Sequence, residues 1–287
     1  MYKIVEKKSL ADDIYWMNIE APRVAKSALP GQFVIVRAHE KGERIPLTIC
    51  DYDPVRGTVA LVIQVVGVSS RKICLLNEGE NMPDFVGPLG HPSEFTHMEI
   101  SELKKKKILF VSGGVGAAPV YPQVKWLCEN GIDVDVIMGA RTESMIILQD
   151  EMKKVAKNLY ISTDDGSAGF KGLVTDLMKK LIHEGKSYDQ VVAIGPMVMM
   201  KFVTLTSQSF NIPIIVSLNT LMVDGTGMCG ACRVSVGNKT KFACVDGPEF
   251  DGALVDFDEA MRRQDMYKDM EMEANHQCRL ENLHSPL

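Results

Sequence analysis

KILFVSGGVGAAPVYPQVKWLCEN, residues 107–130, is the stretch whose reading decides the fold. Its first half contains a short apolar run, Ile108 to Val111, of the kind found in strands buried on both faces. Glycines follow at once, and from Val120 to Asn130 the spacing predicts a helix. The same grammar repeats downstream. DVDVIMGA leads to a helix over Ile147 to Lys157, and LYISTDD to one over Val174 to Glu184. QVVAIGP leads to one over Met197 to Phe210, and IPIIVSLN closes the series. Strands that alternate with helices make a parallel, doubly wound α/β domain.

Upstream the pattern differs. KIVEKKSL, IYWMNIE, QFVIVRAH, PLTICDYD and TVALVIQVV are short β runs separated by turn signals such as Leu29-Pro30-Gly31 and Arg56-Gly57. They predict a small antiparallel β-barrel. The expected organisation is therefore β plus α/β. A barrel occupies residues 1–100, the α/β domain 101–220, a glycine- and cysteine-rich segment 221–252, and a charged helical tail 253–287. Apolar positions in the tail are sparse, so it is expected to pack on a partner. Lys104 to Lys107 read as a solvated helix end before the first α/β strand.

At 287 residues the chain is long enough for two domains. A net charge of −5 argues against nucleic-acid binding. No run approaches the roughly 18 apolar residues of a membrane span. MYKIVEKKSLADDIYW puts charges where an export signal needs an apolar core, which predicts a cytoplasmic chain. Seven cysteines, an odd number without an export signal, argue against a disulfide framework. Cys50, Cys74 and Cys128 read as small buried hydrophobes.

Cys229, Cys232 and Cys244 stand apart. Asp224-Gly-Thr-Gly-Met-Cys229-Gly-Ala-Cys232 keeps the Cys-x4-Cys-x2-Cys spacing of plant-type [2Fe–2S] centres, with Asp224 at the first position and Cys244 as the distant fourth. Glycines 225, 227 and 230 let the backbone wrap closely, so that its amides face a negatively charged cluster. Zinc normally takes four ligands, and no second paired motif with zinc spacing is present. Asp224 reads either as a fourth, harder ligand or as an ordinary Asp-Gly turn residue.

In the α/β half, the turn Gly113-Gly114-Val115-Gly116-Ala117-Ala118-Pro119 would bring backbone amides and a helix N-terminus to a phosphate. Two more strand ends, Asp164-Asp165-Gly166 and Gly195-Pro196-Met197, fall on the same carboxyl edge, where open α/β sheets bind ligands. Asp164 and Asp165 would repel a 2′-phosphate and Arg141 would attract one. The balance favours NAD over NADP. In the barrel half, Arg44 offers a fork for a flavin pyrophosphate and Thr48 a hydroxyl for the flavin ring, while Pro46 stiffens the strand. Gly67, Ser69 and Ser70 could place amides and hydroxyls on phosphate.

In this order the elements resemble the ferredoxin reductase-like flavoproteins, over residues 3 to 252. The cluster loop is similar to that of two groups of electron-transfer subunits. One serves class B dihydroorotate dehydrogenases; the other serves NADH-dependent ferredoxin:NADP oxidoreductases, where an aspartate at the first ligand position is the matching pattern. The resemblance implies FAD, NAD(H) and a [2Fe–2S] cluster as cofactors. It places Arg44, Pro46, Leu47, Thr48, Gln64, Ser69 and Ser70 at the flavin, and the 113–119 turn, Asp165, Gly166, Gly195 and Met197 at NAD(H). It implies that Asp224, Cys229, Cys232 and Cys244 hold iron. Many relatives carry cysteine where this chain has Ile194.

The activity implied is hydride transfer between NADH and FAD, and single-electron transfer between FAD and the cluster. It would take place within an electron-bifurcating heterodimer, whose larger iron–sulfur flavoprotein subunit handles NADP(H) and ferredoxin. A dihydroorotate dehydrogenase partner and a non-catalytic redox sensor are the alternatives. No Ser-His-Asp or Cys-His nucleophile is evident.

Overall fold

Residues 2–284 are described in the computed structural model, with side chains through 278. Seven strands build the first sheet: β1 (Tyr2–Ala11), β2 (Ile14–Glu20), β3 (Phe33–Arg37), β4 (Ile45–Asp53), β5 (Thr58–Gln64), β6 (Asn81–Met82) and β7 (Asp84–Leu89). Their order is β6-β1-β2-β5-β4-β3-β7, antiparallel throughout. The two edge strands, β6 and β7, are separated by Pro83 alone, so one residue bridges the sheet's ends and the barrel nearly closes. Near closure leaves little unpaired edge. Ile4, Met17, Ile19, Val34, Val36, Leu61 and Met82 fill the interior.

β3 is buried on both sides, which explains why FVIVR lacks polar alternation. Val34 and Val36 face the barrel interior. Phe33 and Ile35, pointing the other way, join the core of the α/β domain and the cysteine segment. Trp16, Cys50 and Ala60 likewise face outward onto the α/β domain. An ion pair between Lys125 and Asp51 (2.8 Å) spans the same seam.

The second sheet contains β8 (Ile108–Gly113), β9 (Val134–Ala140), β10 (Asn158–Thr163), β11 (Phe170–Lys171), β12 (Gln190–Ile194) and β13 (Ile214–Ser217). Its order is β11-β10-β9-β8-β12-β13, all parallel. Helices Ala117–Glu129 and Gln149–Val155 cover one face, and Val174–His183 and Met197–Ser209 the other. This is the doubly wound arrangement, with the chain switching direction between β8 and β12. The helix expected from Ile147 begins at Gln149 instead, because Leu148 takes a left-handed φ of 58°.

The cysteine segment supplies a hairpin, β14 (Arg233–Val236) with β15 (Lys239–Phe242). It also supplies β16 (Glu249–Asp251), which pairs antiparallel with β13 and extends the α/β sheet. Two expectations need correction. Cys128 is exposed, unlike Cys50 and Cys74, because it sits on the solvent side of its helix. The tail divides: Val255, Phe257 and Ala260 are buried in this chain's own core, and only from Met266 onward do Met266, Met270 and Met272 stand exposed. Among the described residues no helix is long and apolar enough to cross a membrane.

Candidate functional site

Three glycine-bearing turns meet at the carboxyl edge of the second sheet, and close packing explains two of their residues. A Cβ on Gly116 would sit 2.2 Å from the Ile194 carbonyl oxygen, and one on Gly113 would sit 2.3 Å from Met199 Sδ. These glycines let β8, β12 and the following helix cross at the switch point. Gly114 differs: its φ is +54° and nothing lies within 4 Å of where its Cβ would be, so it faces open space. Val115 and Pro119 are half-buried beside it, whereas Ala117 and Ala118 face the core. An alanine at Gly116 meets backbone that cannot yield. Gly116→Ala is expected to lower stability by about 1–3 kcal/mol and to weaken dinucleotide binding, read by thermal melting with and without NADH.

The neighbouring turns line the same edge. Asp164, Asp165 and Gly166 are exposed, as is Arg141. The Ser167 hydroxyl and amide both donate to Asp165 Oδ1 (2.7 and 2.9 Å) and hold its carboxyl below the ordinary range. The Ser167 hydroxyl oxygen also accepts from the Glu143 amide (2.8 Å), tying the β9 and β10 turns together. Gly195 and Pro196 reach the edge. Met197, expected to face the dinucleotide, turns its side chain into the core at 4% exposure.

In the barrel, Arg44 to Thr48 form a half-exposed strip along the start of β4, with Gln64 half-exposed at the end of β5. Pro46 pairs with Ile35 and Thr48 with Phe33. Helix Val68–Leu75 starts behind Gly67. The Ser70 hydroxyl oxygen accepts from the amides of Val66 (2.9 Å) and Gly67 (3.0 Å), so it caps that helix rather than facing a ligand. Ser69 donates to Glu43. Arg71, which carried no sequence signal, has a buried Nε without a partner. That orphaned donor, the free first-turn amides and the half-exposed strip suit the pyrophosphate and ring of a flavin dinucleotide.

Arg44 holds a surprise of placement. Its Nη2 donates to the carbonyl of Asp224 (3.1 Å) and its Nε to that of Val223 (3.3 Å). The barrel strip is thus tied to the start of the cysteine loop, across 180 positions of sequence. Gly225 (φ +81°) presses on Ile35, leaving no room for a Cβ.

Within the loop, Cys232 and Cys244 are buried with their sulfurs 3.2 Å apart, and Cys229 is exposed. The Ala231 amide, with those of Asp224 and Val223, holds the Cys229 thiol below its usual range. Amides aimed at sulfur favour thiolate, the form that binds iron. Burial, then contact with Cys232, pushes the Cys244 thiol up to about 12, so a cluster bound there displaces protons. Asp224 Oδ2 accepts from the amides of Thr226 (2.8 Å) and Met228 (3.3 Å) and from the Thr226 hydroxyl. The carboxylate therefore closes a turn. Among the described residues no three His, Cys, Asp or Glu side chains converge on one ion position. The donor chemistry of the three thiols and the amide-lined loop still fits an iron–sulfur cluster.

Residues 110–204 match the model of the oxidoreductase NAD-binding domain, and residues 219–256 that of the iron–sulfur cluster binding domain of dihydroorotate dehydrogenase B. The chain is 59% identical over 286 residues to an uncharacterized protein of the adh 3′ region of Clostridium beijerinckii, covering 99% of this chain and 97% of that one. It is 49% identical over 269 residues to the dihydroorotate dehydrogenase B (NAD(+)) electron transfer subunit homolog of Thermotoga maritima, covering 94% and 92%. A solved structure of an NADH-dependent reduced ferredoxin-NADP oxidoreductase, reported for flavin-based electron bifurcation, superposes with a TM-score of 0.90. Its identity is 46%, with 98% of each chain covered.

Proposed function

The chain belongs to the family of dihydroorotate dehydrogenase B electron-transfer subunits and their homologues, and from that premise we propose that it carries electrons between NAD(H), FAD and a [2Fe–2S] cluster for a larger partner subunit. The observation that supports this most is the Arg44 bridge, which fastens the flavin strip of the barrel to the loop bearing the cysteines. Bound flavin supplies the conversion between two-electron and one-electron chemistry. The protein supplies alignment. Gly114 leaves an open approach for a dinucleotide, the β4 strip and Arg71 hold the flavin, and the amides at Cys229 favour its thiolate.

Asp164 and Asp165 crowd the adenosine end of the dinucleotide groove with negative charge, so NAD(H) is the cofactor chosen. The partner is a larger iron–sulfur flavoprotein that handles NADP(H) and ferredoxin, and the complex bifurcates electrons in the cytoplasm. The 46% identity and near-complete overlap with the ferredoxin-NADP oxidoreductase structure support that partner. A second reading, service to a dihydroorotate-oxidising subunit, is favoured by the Thermotoga maritima relative's name and the matched cluster domain.

Purification under argon with spectra before and after NADH tests both. Bound FAD that bleaches with NADH, and a co-purifying iron–sulfur flavoprotein, are the expected results. A partner that holds FMN and oxidises dihydroorotate would establish the second reading. A flavin-free complex would overturn the proposal.

A further inference from the structure

The edge of the second sheet opposite the dinucleotide turns carries a cleft of about 620 Å³, within the size range of small-molecule sites. Six lysines line it: Lys104, Lys105, Lys106 and Lys107 from the turn before β8, Lys157 before β10, and Lys186 before β12. Only Asp133 and Asp135 oppose them in the lining, on a chain whose net charge is −5. No arginine takes part.

How these cations are partnered decides the reading. Lys157 pairs with Asp133 (2.6 Å), Lys186 with Asp135 (3.3 Å), and Lys105 with Glu102 (2.6 Å). Asp135, at 8% exposure, also accepts from Tyr188 (2.9 Å) and Asn158 (2.6 Å), so the floor is a fixed and neutralised network. Among the described residues three ammonium groups have no ion pair, although the Asp189 carboxylate accepts from the Lys107 amide (2.8 Å) beside one of them. Lys107 Nζ donates only to the Ser187 hydroxyl (3.0 Å), and Lys104 and Lys106 have no ion pair among the described residues. Lys104 Nζ lies 3.5 Å from the point where a Cβ on Gly131 would be, so the end of that side chain packs over the glycine.

A solvated lysine run spreads its charges apart to lower their repulsion. Here the fold instead gathers a run of four with two lysines from distant strands around one concavity. Among the described residues three of the six ammonium groups have no ion pair there, which leaves an excess of positive charge for an anion. Lysine is a point-charge partner for phosphate, whereas carboxylate recognition usually employs arginine forks. A concave cleft of this volume admits a small molecule with several charges rather than a protein face. We infer that this cleft is a binding site for linked phosphates, such as an inorganic phosphate chain or a nucleoside triphosphate. It lies a strand's length, roughly 20 Å, from the dinucleotide turns.

Calorimetry on the intact, cofactor-loaded complex, saturated with NADH to fill the dinucleotide site, tests this with tripolyphosphate and ATP as probes. Tripolyphosphate is expected to bind, more weakly as salt rises, and to bind at least about tenfold more weakly to Lys104→Gln/Lys106→Gln/Lys107→Gln. The control Lys26→Gln/Lys41→Gln, on exposed barrel positions, should leave binding unchanged. Equal affinity for ATP and tripolyphosphate would mean that the phosphate chain alone is read, and tighter ATP binding would add the nucleoside. No binding to the unmodified complex, equal binding to the triple variant, or an equal loss in the barrel control would each overturn the site.

Discussion

A Cys244→Ser or Cys229→Ser protein is expected to lose its iron–sulfur absorption while keeping a flavin that NADH still bleaches. The two halves of that expectation rest on different parts of the molecule. Serine oxygen is a poorer ligand for iron than thiolate, so removing one of three sulfurs leaves a cluster without sufficient soft donors. The residues proposed to face a flavin lie on the barrel strands and on helix Val68–Leu75, whose shared core contains neither sulfur. Cys229 is the cleaner of the two sites because it is exposed, whereas a serine at Cys244 also buries a hydroxyl. Electron delivery to a one-electron dye or to the partner should fall with the cluster. Retention of the cluster in both variants would place it elsewhere.

The same spectra separate the two roles of Asp224. Its carboxylate closes a turn by accepting from Thr226 and Met228, and an asparagine oxygen can keep those bonds while giving up the charge. If Asp224 is also a ligand, Asp224→Asn should lose iron to a chelator more than about tenfold faster, and Asp224→Cys should hold it more tightly. An Asp224→Asn protein that keeps its cluster at the original rate assigns the residue to the turn alone.

What the sequence disclosed followed from chemistry that is local along the chain. The glycines of 113–119 stood out because only glycine fits where β8, β12 and a helix cross, and the cysteine spacing stood out because a short loop must converge on iron. Alternating grammar marked the two sheets, since burial on one or both faces sets the period of each strand. Residues were misread where a neighbour distant in sequence decided their role. Met197 turns into the core because the helix it starts packs on the sheet. Ser70 spends its hydroxyl on the amides of its own helix cap. Arg44 reaches carbonyls 179 and 180 positions away, and nothing in RIPLT announces that bridge. Lys104 to Lys107 do form the largely exposed turn that their run predicts, and what the sequence could not show is that the parallel sheet brings Lys157 and Lys186 beside them.

Glu249 is the largest such omission, and replacing it with glutamine is expected to stabilise the protein at pH 8 but hardly at all at pH 4.5. It lies on β16, the strand that anchors the cysteine segment to the α/β sheet. Its residue surface is only partly covered, yet its carboxyl points inward. There Oε1 accepts from Ser93, which follows the barrel (2.6 Å), and from Gln123, on the helix after the dinucleotide turn (2.9 Å). Ser93 and Gln123 are both fully buried. Three parts of the chain therefore meet on one carboxyl. Burial pushes its pKa up to about 7, and the charge of Glu94 adds to the rise, against the two hydrogen bonds. Gln123 Oε1 is buried without a donor, which is where the proton of a neutral carboxyl could go.

The sign follows from linkage. Below pH 4.5 both folded and unfolded forms are protonated and Glu249 costs nothing. As pH rises from 4.5 to about 7 the unfolded chain ionises first, so stability falls, by at most about 3 kcal/mol once both forms are charged. Glutamine keeps the acceptor for Ser93 and Gln123, offers Gln123 Oε1 an N–H, and cannot ionise. Melting curves of the flavin-loaded protein and its Glu249→Gln variant from pH 5 to 8 should therefore diverge, with the variant's advantage growing as pH rises. A constant difference across that range would show that the carboxyl is already ionised in the folded protein.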